Sequence, residues 1–488
     1  MSFRTIRFTI AVSVVLLLVI QVGYRSPALA DEIDGDELCG TGRAVFRTNT
    51  FDGSDPFTVD LKIAKIEKTL NRGVHDGNNS RPRIELIRLF GTKILLAIEK
   101  PAKGQESSAR FHLVLRRRLN EIGFDTVGAP LPDRNLVVES NQRPGRGISS
   151  GFNGNWDIQR TGTQQAWKVL GNHSSVFPGT VRVAVVDSGT DLVELENTYK
   201  AVSWSPKNAF AVPGTLNTEA TTCDPPARGP TEGLNLRAGS TNEVCKPGTE
   251  DLEHGTDVAN MVLKGQLSDG QLTRYSRIKI FPIKIISPPV TCASHAIAAW
   301  DAIININLTN PDEPINIVNN SFGFREPSNI EIFAVNEMRM LGILMVGSAG
   351  YGRDLSVASG NHYRPATISN DIVIGVAAAS MGDIVLSDSS FGEDTIDLAA
   401  PGEYNATPTG IFGGTSAATG LVSGAAALIN IVCDGESASG VAQRLRDGAT
   451  PIDTSGTNRP IKYGRLNTCE SVRACFLNKS VSITCDRD

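Results

Sequence analysis

Short apolar runs alternate with segments of helical character from residue 156 onward. The apolar runs are continuous, which is typical of strands buried on both faces of a parallel sheet. The runs are VRVAVVD at 181–187, IKIFPIKI at 278–285, INIVNNS at 315–321, GILMVGS at 342–348 and DIVIGVA at 371–377. The segments between them, such as 294–304 and 331–340, are long enough for crossover helices. The pattern therefore predicts an α/β fold with a doubly wound, mostly parallel sheet and flanking helices.

The residues before this region predict a separate, small α+β unit. Strands are expected at 83–89 and 93–99, an amphipathic helix at 107–122 and a further short strand at 136–139. The run NQRPGRGISSGFNGN, residues 141–155, has almost no apolar residue and is expected to be an exposed linker, a natural place for a proteolytic cut.

The chain is accordingly divided into four segments. Residues 31–150 form the N-terminal unit with its linker, 151–470 the main domain, and 471–488 a Cys-containing C-terminal extension. Residues 1–30 have the features of a secretory signal peptide cleaved after Ala30: Arg4 and Arg7 precede an apolar run over 8–20, and the segment ends in small residues. An uncleaved membrane anchor is the alternative, but the run is short for a hydrocarbon core of about 30 Å. We expect a secreted or periplasmic protein with no stable membrane insertion after signal cleavage.

Composition and charge narrow the class of function. The 488 residues include 47 Lys and Arg against 52 Asp and Glu, a net charge of −5, which argues against a nucleic-acid partner. Only six His are present, and neither a His-Glu-x-x-His nor a Cys-x-x-Cys pair occurs, so a transition-metal enzyme is not expected.

Three polar residues stand at junctions between predicted strands and helices. Asp187 ends the apolar run VAVVD, His254 precedes the apolar helical segment DVANMV, and Ser416 enters a helix of small residues. Each has an ordinary structural interpretation alone, as a turn residue, a packed side chain or a helix N-cap. Because the carboxyl ends of parallel strands meet at one edge of a sheet, the three side chains are expected together. The chain order Asp, His, Ser is one of the known orders of a serine-hydrolase triad.

Five motifs in this order resemble the subtilisin-like serine proteases, the subtilases. The resemblance covers about residues 156–467 and rests on VAVVDSGTD, HGTDVANMV, NNSFGF, DLAAPG and GGTSAATGLVSG. It implies that Ser416 is the nucleophile, that His254 is its general base and that Asp187 orients the imidazole. It also implies that an extended segment pairs with substrate backbone beside the specificity pocket, formed here by Ser321, Phe322 and Gly323.

This sequence departs from the subtilase pattern at the oxyanion hole. Subtilases place an Asn side-chain amide after the Gly that here is Gly350, and this chain has Tyr351 instead. Three interpretations stay open: the Tyr351 hydroxyl donates, Asn361 replaces it, or the oxyanion hole is weak. Asp257 and Asn260, where the family often has His and Gly, are smaller departures, as is Gly420 where Pro is usual.

The resemblance also implies that residues 31 to about 150 are a propeptide that blocks the cleft, although no convincing propeptide motif is present and an accessory domain is the alternative. No cofactor is expected for the chemistry. Structural calcium is common in the family, but no segment here has the spacing of a calcium loop, so no residue is assigned to it.

The eight cysteines suit an oxidising compartment. A bridge between Cys223 and Cys245 is expected to close a Pro- and Gly-rich insertion. Two more bridges are expected among the four C-terminal cysteines, with Cys475–Cys485 as a hairpin pair, although spacing alone does not determine connectivity. Cys39 and Cys292 are left over, and removal of the N-terminal unit would make Cys292 a free thiol.

The sequence thus predicts a secreted serine endopeptidase, made as a zymogen, with protein or peptide substrates. Two alternatives remain: a catalytically weak or inactive subtilase-fold binding protein, suggested by Tyr351, and a hydrolase of esters or other acyl groups, which the same triad would serve.

Overall fold

A computed structural model gives the architecture of two units, each built on its own sheet. The described residues are 39, 43–50, 56–72, 82–90, 94–101, 107, 110–126, 130–132, 155–199, 234–235, 253–268, 276–286, 291–325, 327–408, 410–454 and 456–485. Several sequence predictions fall outside these ranges: the signal peptide, the strand at 136–139, nearly all of the linker, and the bridge between Cys223 and Cys245.

Over its described residues, the N-terminal unit is a four-stranded antiparallel sheet with two helices. Its strand order is β2-β3-β1-β4, which in a βαββαβ sequence is the ferredoxin-like arrangement. The predicted helix at 107–122 begins later, at Phe111. The elements are β1 (Arg43–Arg47), α1 (Pro56–Leu70), β2 (Arg83–Phe90), β3 (Ile94–Lys100), α2 (Phe111–Glu121) and β4 (Leu131–Pro132).

The main unit is built on an eight-stranded sheet in which every neighbouring pair is parallel, so the predicted doubly wound α/β fold is confirmed. The strand order is β14-β11-β10-β9-β8-β5-β7-β6, and β12 and β13 form a separate hairpin. The strands are β5 (Val181–Asp187), β6 (Leu234–Asn235), β7 (Ile278–Lys284), β8 (Ile317–Asn320), β9 (Leu344–Ser348), β10 (Val373–Ala379), β11 (Leu398–Pro401), β12 (Asn405–Thr407), β13 (Gly410–Phe412) and β14 (Gly464–Arg465).

Nine described helices belong to this unit. Two of them match predicted crossovers, and the second of these begins at a capping box in which Ser328 and Glu331 bond to each other's backbone N–H groups. The helices are α3 (Trp156–Arg160), α4 (Thr163–Asn172), α5 (Leu192–Tyr199), α6 (Glu253–Leu263), α7 (Ala293–Thr309), α8 (Asn329–Met340), α9 (Gly414–Val432), α10 (Ala438–Asp447) and α11 (Thr468–Asn478).

The strand order places a topological switch point beside β5. The chain moves from β5 toward β7 in one direction and then returns to β8 and β9 on the other side of β5. From β6, at the sheet edge beyond β7, the chain steps through α6 to β7, through α7 to β8 and through α8 to β9, always in this returning direction. The chain leaves the carboxyl ends of β5 and β8 in opposite directions, and such a point is where open α/β sheets bind ligands.

Helix α9 packs unusually closely against α6. A Cβ atom added to Gly420 would lie 2.7 Å from Met261 Cβ, and one added to Gly424 would lie 2.4 Å from the Val262 carbonyl oxygen. The two glycines thus let the backbones approach more closely than larger residues allow. Within the described part of the chain, α9 is also the one helix long and apolar enough to cross a membrane, and 94% of that window is buried inside the protein.

A buried ion pair holds the first helix of the main unit in place. Lys264 Nζ lies 2.7 Å from Asp157 Oδ2, and both side chains are almost wholly inaccessible. Burial raises the pKa of Asp157 and lowers that of Lys264, and the attraction between the two opposes both shifts. Residues 156–160, which follow the predicted linker, are therefore part of the folded main unit.

The N-terminal sheet packs directly on the main unit. Val45 in β1 belongs to the main core, whereas its neighbours Ala44 and Phe46 belong to the core of the N-terminal unit, as strand alternation requires. Arg43 donates a hydrogen bond to Ser294 Oγ in α7 at 3.2 Å. The Arg47 guanidinium lies 4.2 Å from the centre of the Phe333 ring in α8.

A disulfide joins the two units: Cys39 is bonded to Cys292, the residue that precedes α7. The two cysteines that the sequence left unassigned are therefore bonded to each other. The pairing brings together residues 253 positions apart in sequence, so spacing gave no indication of it.

The C-terminal cysteines pair as Cys433–Cys475 and Cys469–Cys485, so the predicted Cys475–Cys485 bridge is wrong. Cys469 and Cys475 lie in the same helix, α11, and six residues of α-helix turn them toward different sides. The predicted boundary at residue 470 falls inside this helix. Residues 471–485 are part of the main unit, because Val472, Phe476, Val481 and Ile483 are in its core.

We expect Gly424→Ala to lower the free energy of unfolding by about 1–3 kcal/mol, as overpacking of a core does. Alanine favours a helix by about 1 kcal/mol over glycine, but its Cβ would meet a backbone oxygen at 2.4 Å, which cannot move alone. Urea denaturation measures the change. In the control, Gly456→Ala, the new Cβ has no neighbour within 4 Å, and equal stability of the two variants would contradict the close-packing account.

Candidate active site

Three polar side chains meet at the carboxyl edge of the main sheet. Asp187 is the last residue of β5, His254 lies in the first turn of α6, and Ser416 lies in the first turn of α9. His254 Nδ1 is 2.7 Å from Asp187 Oδ1, and His254 Nε2 is 3.2 Å from Ser416 Oγ. The three residues thus form one hydrogen-bonded series in the order that their roles require.

The carboxylate end of this series is buried and fixed. Asp187 has no exposed surface, and its Oδ1 also accepts a hydrogen bond from the Ser188 N–H at 2.7 Å. Both hydrogen bonds reach the same carboxylate oxygen, and the His254 contact fixes which imidazole nitrogen faces the carboxylate and hence which nitrogen faces the serine.

A glycine allows β5 and α6 to approach closely enough for this contact. A Cβ added to Gly255 would lie 2.0 Å from the Gly189 carbonyl oxygen. The Gly255 N–H donates to Ser188 Oγ at 3.0 Å, and the Asp191 N–H donates to Thr256 Oγ1 at 2.9 Å. The Ser-Gly-Thr sequence after β5 and the His-Gly-Thr sequence in α6 therefore bind each other directly.

The imidazole is positioned by packing as well as by hydrogen bonds. The ring of Phe412, in β13, meets the His254 ring edge to face with centroids 5.6 Å apart. The His254 side chain keeps 16% of its surface exposed, so the ring is accessible from one side. A ring held in this way can exchange protons with Ser416 Oγ and with a bound molecule without rotating.

Ser416 lies at the N-terminal end of α9, where free backbone N–H groups and the helix dipole favour negative charge. The residue is 3% exposed. Its carbonyl oxygen accepts a hydrogen bond from Ser321 Oγ at 3.3 Å, and its own Oγ lies 3.5 Å from the Ser321 carbonyl oxygen. The segment that follows β8 therefore lies against the nucleophile candidate at Ser321.

A chain of buried polar groups, not identified from the sequence, fixes that segment. Ser423 Oγ in α9 donates to Asn319 Oδ1 at 2.9 Å, and Asn319 Nδ2 donates to Ser321 Oγ at 3.0 Å. Asn319 and Ser423 have no exposed surface. The sequence carried a signal, since two Asn residues interrupt an otherwise apolar strand at 319–320.

The three predicted substrate-binding residues have different surroundings. Phe322 is fully buried and packs near Phe324 at a centroid distance of 5.9 Å, so only its backbone is available to a substrate. Ser321 is nearly buried beside Ser416. Gly323 lies against the ring of Tyr363, because a Cβ at this position would be 2.2 Å from Tyr363 Cε1.

The two oxyanion candidates differ in their contacts. Tyr351 is 52% exposed and forms an isolated backbone bridge with Ser389. The Asn361 side-chain amide donates to the Asp354 carbonyl oxygen at 2.9 Å and is thus engaged within its own loop. Among the hydrogen bonds of the described residues, none joins either side chain to Ser416.

The departures in the His254 helix have structural roles. Asn260 Nδ2 donates to Glu194 Oε1 at 3.1 Å, which ties α6 to α5, and burial raises the pKa of Glu194. Thr407 Oγ1 donates to Asp257 Oδ1 at 2.9 Å, which ties α6 to the β12 hairpin. Both contacts lie on the helix that carries His254 and help to hold it.

Within the ranges that the structure describes, no group of three or more His, Cys, Asp or Glu side chains converges as metal ligands would.

The fold and the site together define the class: a parallel α/β protein with the Asp–His–Ser arrangement of serine hydrolases. The sequence profile of the subtilase family matches residues 179–464, more than half of the chain. The chain belongs to the subtilase family.

Curated relatives agree with this assignment. A thermostable alkaline protease of Halalkalibacterium halodurans is 30% identical over 239 residues, which are 47% of this chain and 60% of the relative. Subtilisin BL of Lederbergia lenta is 28% identical over 231 residues, 46% of this chain and 80% of the relative. An alkaline protease of Alkalihalobacillus alcalophilus is 26% identical over 231 residues, covering 46% and 56% of the two chains. The chain thus matches under two thirds of the length of the two alkaline proteases.

Proposed function

We propose that this protein is a secreted serine endopeptidase that hydrolyses peptide bonds through an acyl-enzyme. The observation that supports it most is the continuous hydrogen-bonded series from Asp187 through His254 to Ser416. The relatives named as alkaline proteases and subtilisins supply the substrate class. Disulfides and the signal-peptide pattern of residues 1–30 support export.

In the proposed reaction, His254 Nε2 accepts the Ser416 hydroxyl proton as Ser416 Oγ attacks the scissile carbonyl. Asp187 stabilises the imidazolium that forms. His254 then donates that proton to the leaving amine, and the peptide C–N bond breaks to give the acyl-enzyme. A water molecule, deprotonated by His254, attacks the ester and releases the new carboxylate, which restores the free serine.

The developing oxyanion has one clear donor, the backbone N–H at the start of α9. We propose that the hole lacks the usual second, side-chain donor, because Tyr351 is half exposed and Asn361 is engaged within its own loop. The enzyme is then slower than subtilases that have this amide. The same observation favours the second candidate function, a subtilase-fold binding protein with little or no turnover.

We further propose that the N-terminal unit is a propeptide that stays attached after it has been cut. Its sheet packs on α7 and α8, and Cys39–Cys292 joins it covalently to the main unit. A cut in the linker at 141–155 separates the chain into two pieces held by this bond, so release requires reduction as well as proteolysis.

Ser416→Ala is expected to lower kcat for peptide hydrolysis by a factor on the order of 10⁶, and His254→Ala by a similar factor, because the residues act as one unit. Release of a fluorophore from a peptide measures the rate, and an ester of the same acyl group compares amide with ester turnover. Thermal unfolding of each variant is the control for folding. Unchanged peptide turnover in Ser416→Ala would contradict the proposal, and turnover of the ester alone would favour the acyl-hydrolase alternative.

Tyr351→Phe is expected to leave kcat unchanged, because we assign no role to the hydroxyl. Tyr351→Asn is expected to raise kcat by up to about 10²–10³-fold, since loss of one such donor costs this much in a protease of the family. Steady-state kinetics on one peptide measures both variants. A large loss of kcat in Tyr351→Phe would instead identify the hydroxyl as the oxyanion donor.

Intact mass spectrometry tests the attached propeptide. Without reductant, the self-cleaved protein is expected to keep both pieces and gain one water, and with reductant it is expected to separate into two. Ser416→Ala stays a single chain under both conditions, and the cleaved Cys292→Ser variant separates without reductant. Loss of the N-terminal piece from the wild type without reductant would contradict this part of the proposal.

A further inference from the structure

A gap opens beside Ser416 where two neighbouring strands separate. Strands β8 and β9 pair up to Asn320 and Gly347. Beyond this point the chain after β8 pairs with another segment, since Phe324 and Arg364 exchange backbone hydrogen bonds of 2.8 and 2.9 Å. The residues that follow β8 therefore form the first wall of a gap at the carboxyl edge of the sheet, and the residues that follow β9 form the second wall.

The aromatic ring of Tyr363 fills this gap. A Cβ added to Gly323, in the first wall, would lie 2.2 Å from Tyr363 Cε1, and one added to Gly350, in the second wall, would lie 2.6 Å from Tyr363 Cζ. Both walls thus touch the ring through glycine backbone. Tyr363 is only 2% exposed.

The ring is held there by its own backbone and by core packing. The Tyr363 N–H donates to Thr367 Oγ1 at 3.2 Å, and the Thr367 N–H donates to the Tyr363 carbonyl oxygen at 3.1 Å. The side chain belongs to a buried cluster with Ala349 and Ala366. Moving the ring out of the gap would break this packing.

The nucleophile candidate is next to the same gap. Ser416 Oγ lies 3.5 Å from the carbonyl oxygen of Ser321, two residues before Gly323. Consider a peptide whose backbone runs along residues 321–323 and whose carbonyl carbon is attacked by Ser416. The side chain of the residue before the scissile bond then points toward the space between the two walls. The ring of Tyr363 occupies that space.

We propose that Tyr363 restricts the residue before the scissile bond to those with small side chains, namely Gly, Ala and Ser. The proposal rests on the proposed protease function and adds its substrate class. Close-packed atoms reject an extra group sterically, and a difference of one methylene is worth about 10–200-fold in discrimination. An aromatic or long aliphatic side chain is much larger than that.

The test uses the full chain and a set of peptides that differ only in the residue before the cut: Gly, Ala, Ser, Leu or Phe. We expect the wild type to cleave the Ala peptide at least about 10²-fold better than the Phe peptide by kcat/KM. Tyr363→Ala is expected to shift the ratio of Phe to Ala turnover upward by about 10²-fold or more. Tyr363→Phe keeps the ring and is expected to keep the wild-type ratio.

The outcomes separate the two proposals. Efficient cleavage after Phe or Leu by the wild type overturns this inference and leaves the protease function standing, and this result does not depend on any variant folding. A folded, active Tyr363→Ala protein with the wild-type ratio also overturns it. If no peptide, including those with Gly, Ala or Ser, shows turnover that Ser416→Ala abolishes, the protease function itself fails.

Discussion

The contact between α9 and α6 is the constraint on which the site depends. Gly420 and Gly424 bring the backbones of the two helices together, and each helix carries one member of the Ser416–His254 pair in its first turn. A larger residue at either glycine would move the two helix starts apart, and a 3.2 Å hydrogen bond between side chains has little tolerance for such a shift. Several glycines in one helix weaken it locally. The close packing offsets that cost and sets the position of the reactive groups.

Hydrogen bonds between buried polar side chains also hold this edge of the sheet. The Ser423–Asn319–Ser321 series connects α9 to the segment after β8, so the helix that carries Ser416 also positions the wall beside it. Buried and fully hydrogen-bonded series of this kind are rigid, because breaking one link leaves a buried polar atom without a partner. In the proposed reaction, Tyr351 leaves the oxyanion hole without a side-chain donor, and the ring of Tyr363 limits the space beside the nucleophile.

Much of the main unit could be predicted from sequence, because its signals are local. A buried parallel strand is a continuous apolar run, and the motifs around Asp187, His254 and Ser416 each follow or precede such elements. Features that depend on residues far apart in the sequence could not be predicted in this way. The Cys39–Cys292 bridge joins residues 253 positions apart, and the position of Tyr363 between Gly323 and Gly350 depends on three separate segments. The Cys475–Cys485 prediction was wrong because Cys469 and Cys475 lie in one helix that turns their side chains to different sides, and Cys485 pairs with Cys469.

Covalent labelling of the folded protein tests the central claim, that helix packing and the Asp187–His254 contact activate Ser416. A fluorophosphonate reacts with serine hydroxyls that a neighbouring base activates, and peptide mapping by mass spectrometry locates the label. We expect a single label on Ser416 in the wild type and none on folded His254→Ala protein. Labelling of another serine in preference to Ser416, or equal labelling with and without His254, would contradict it.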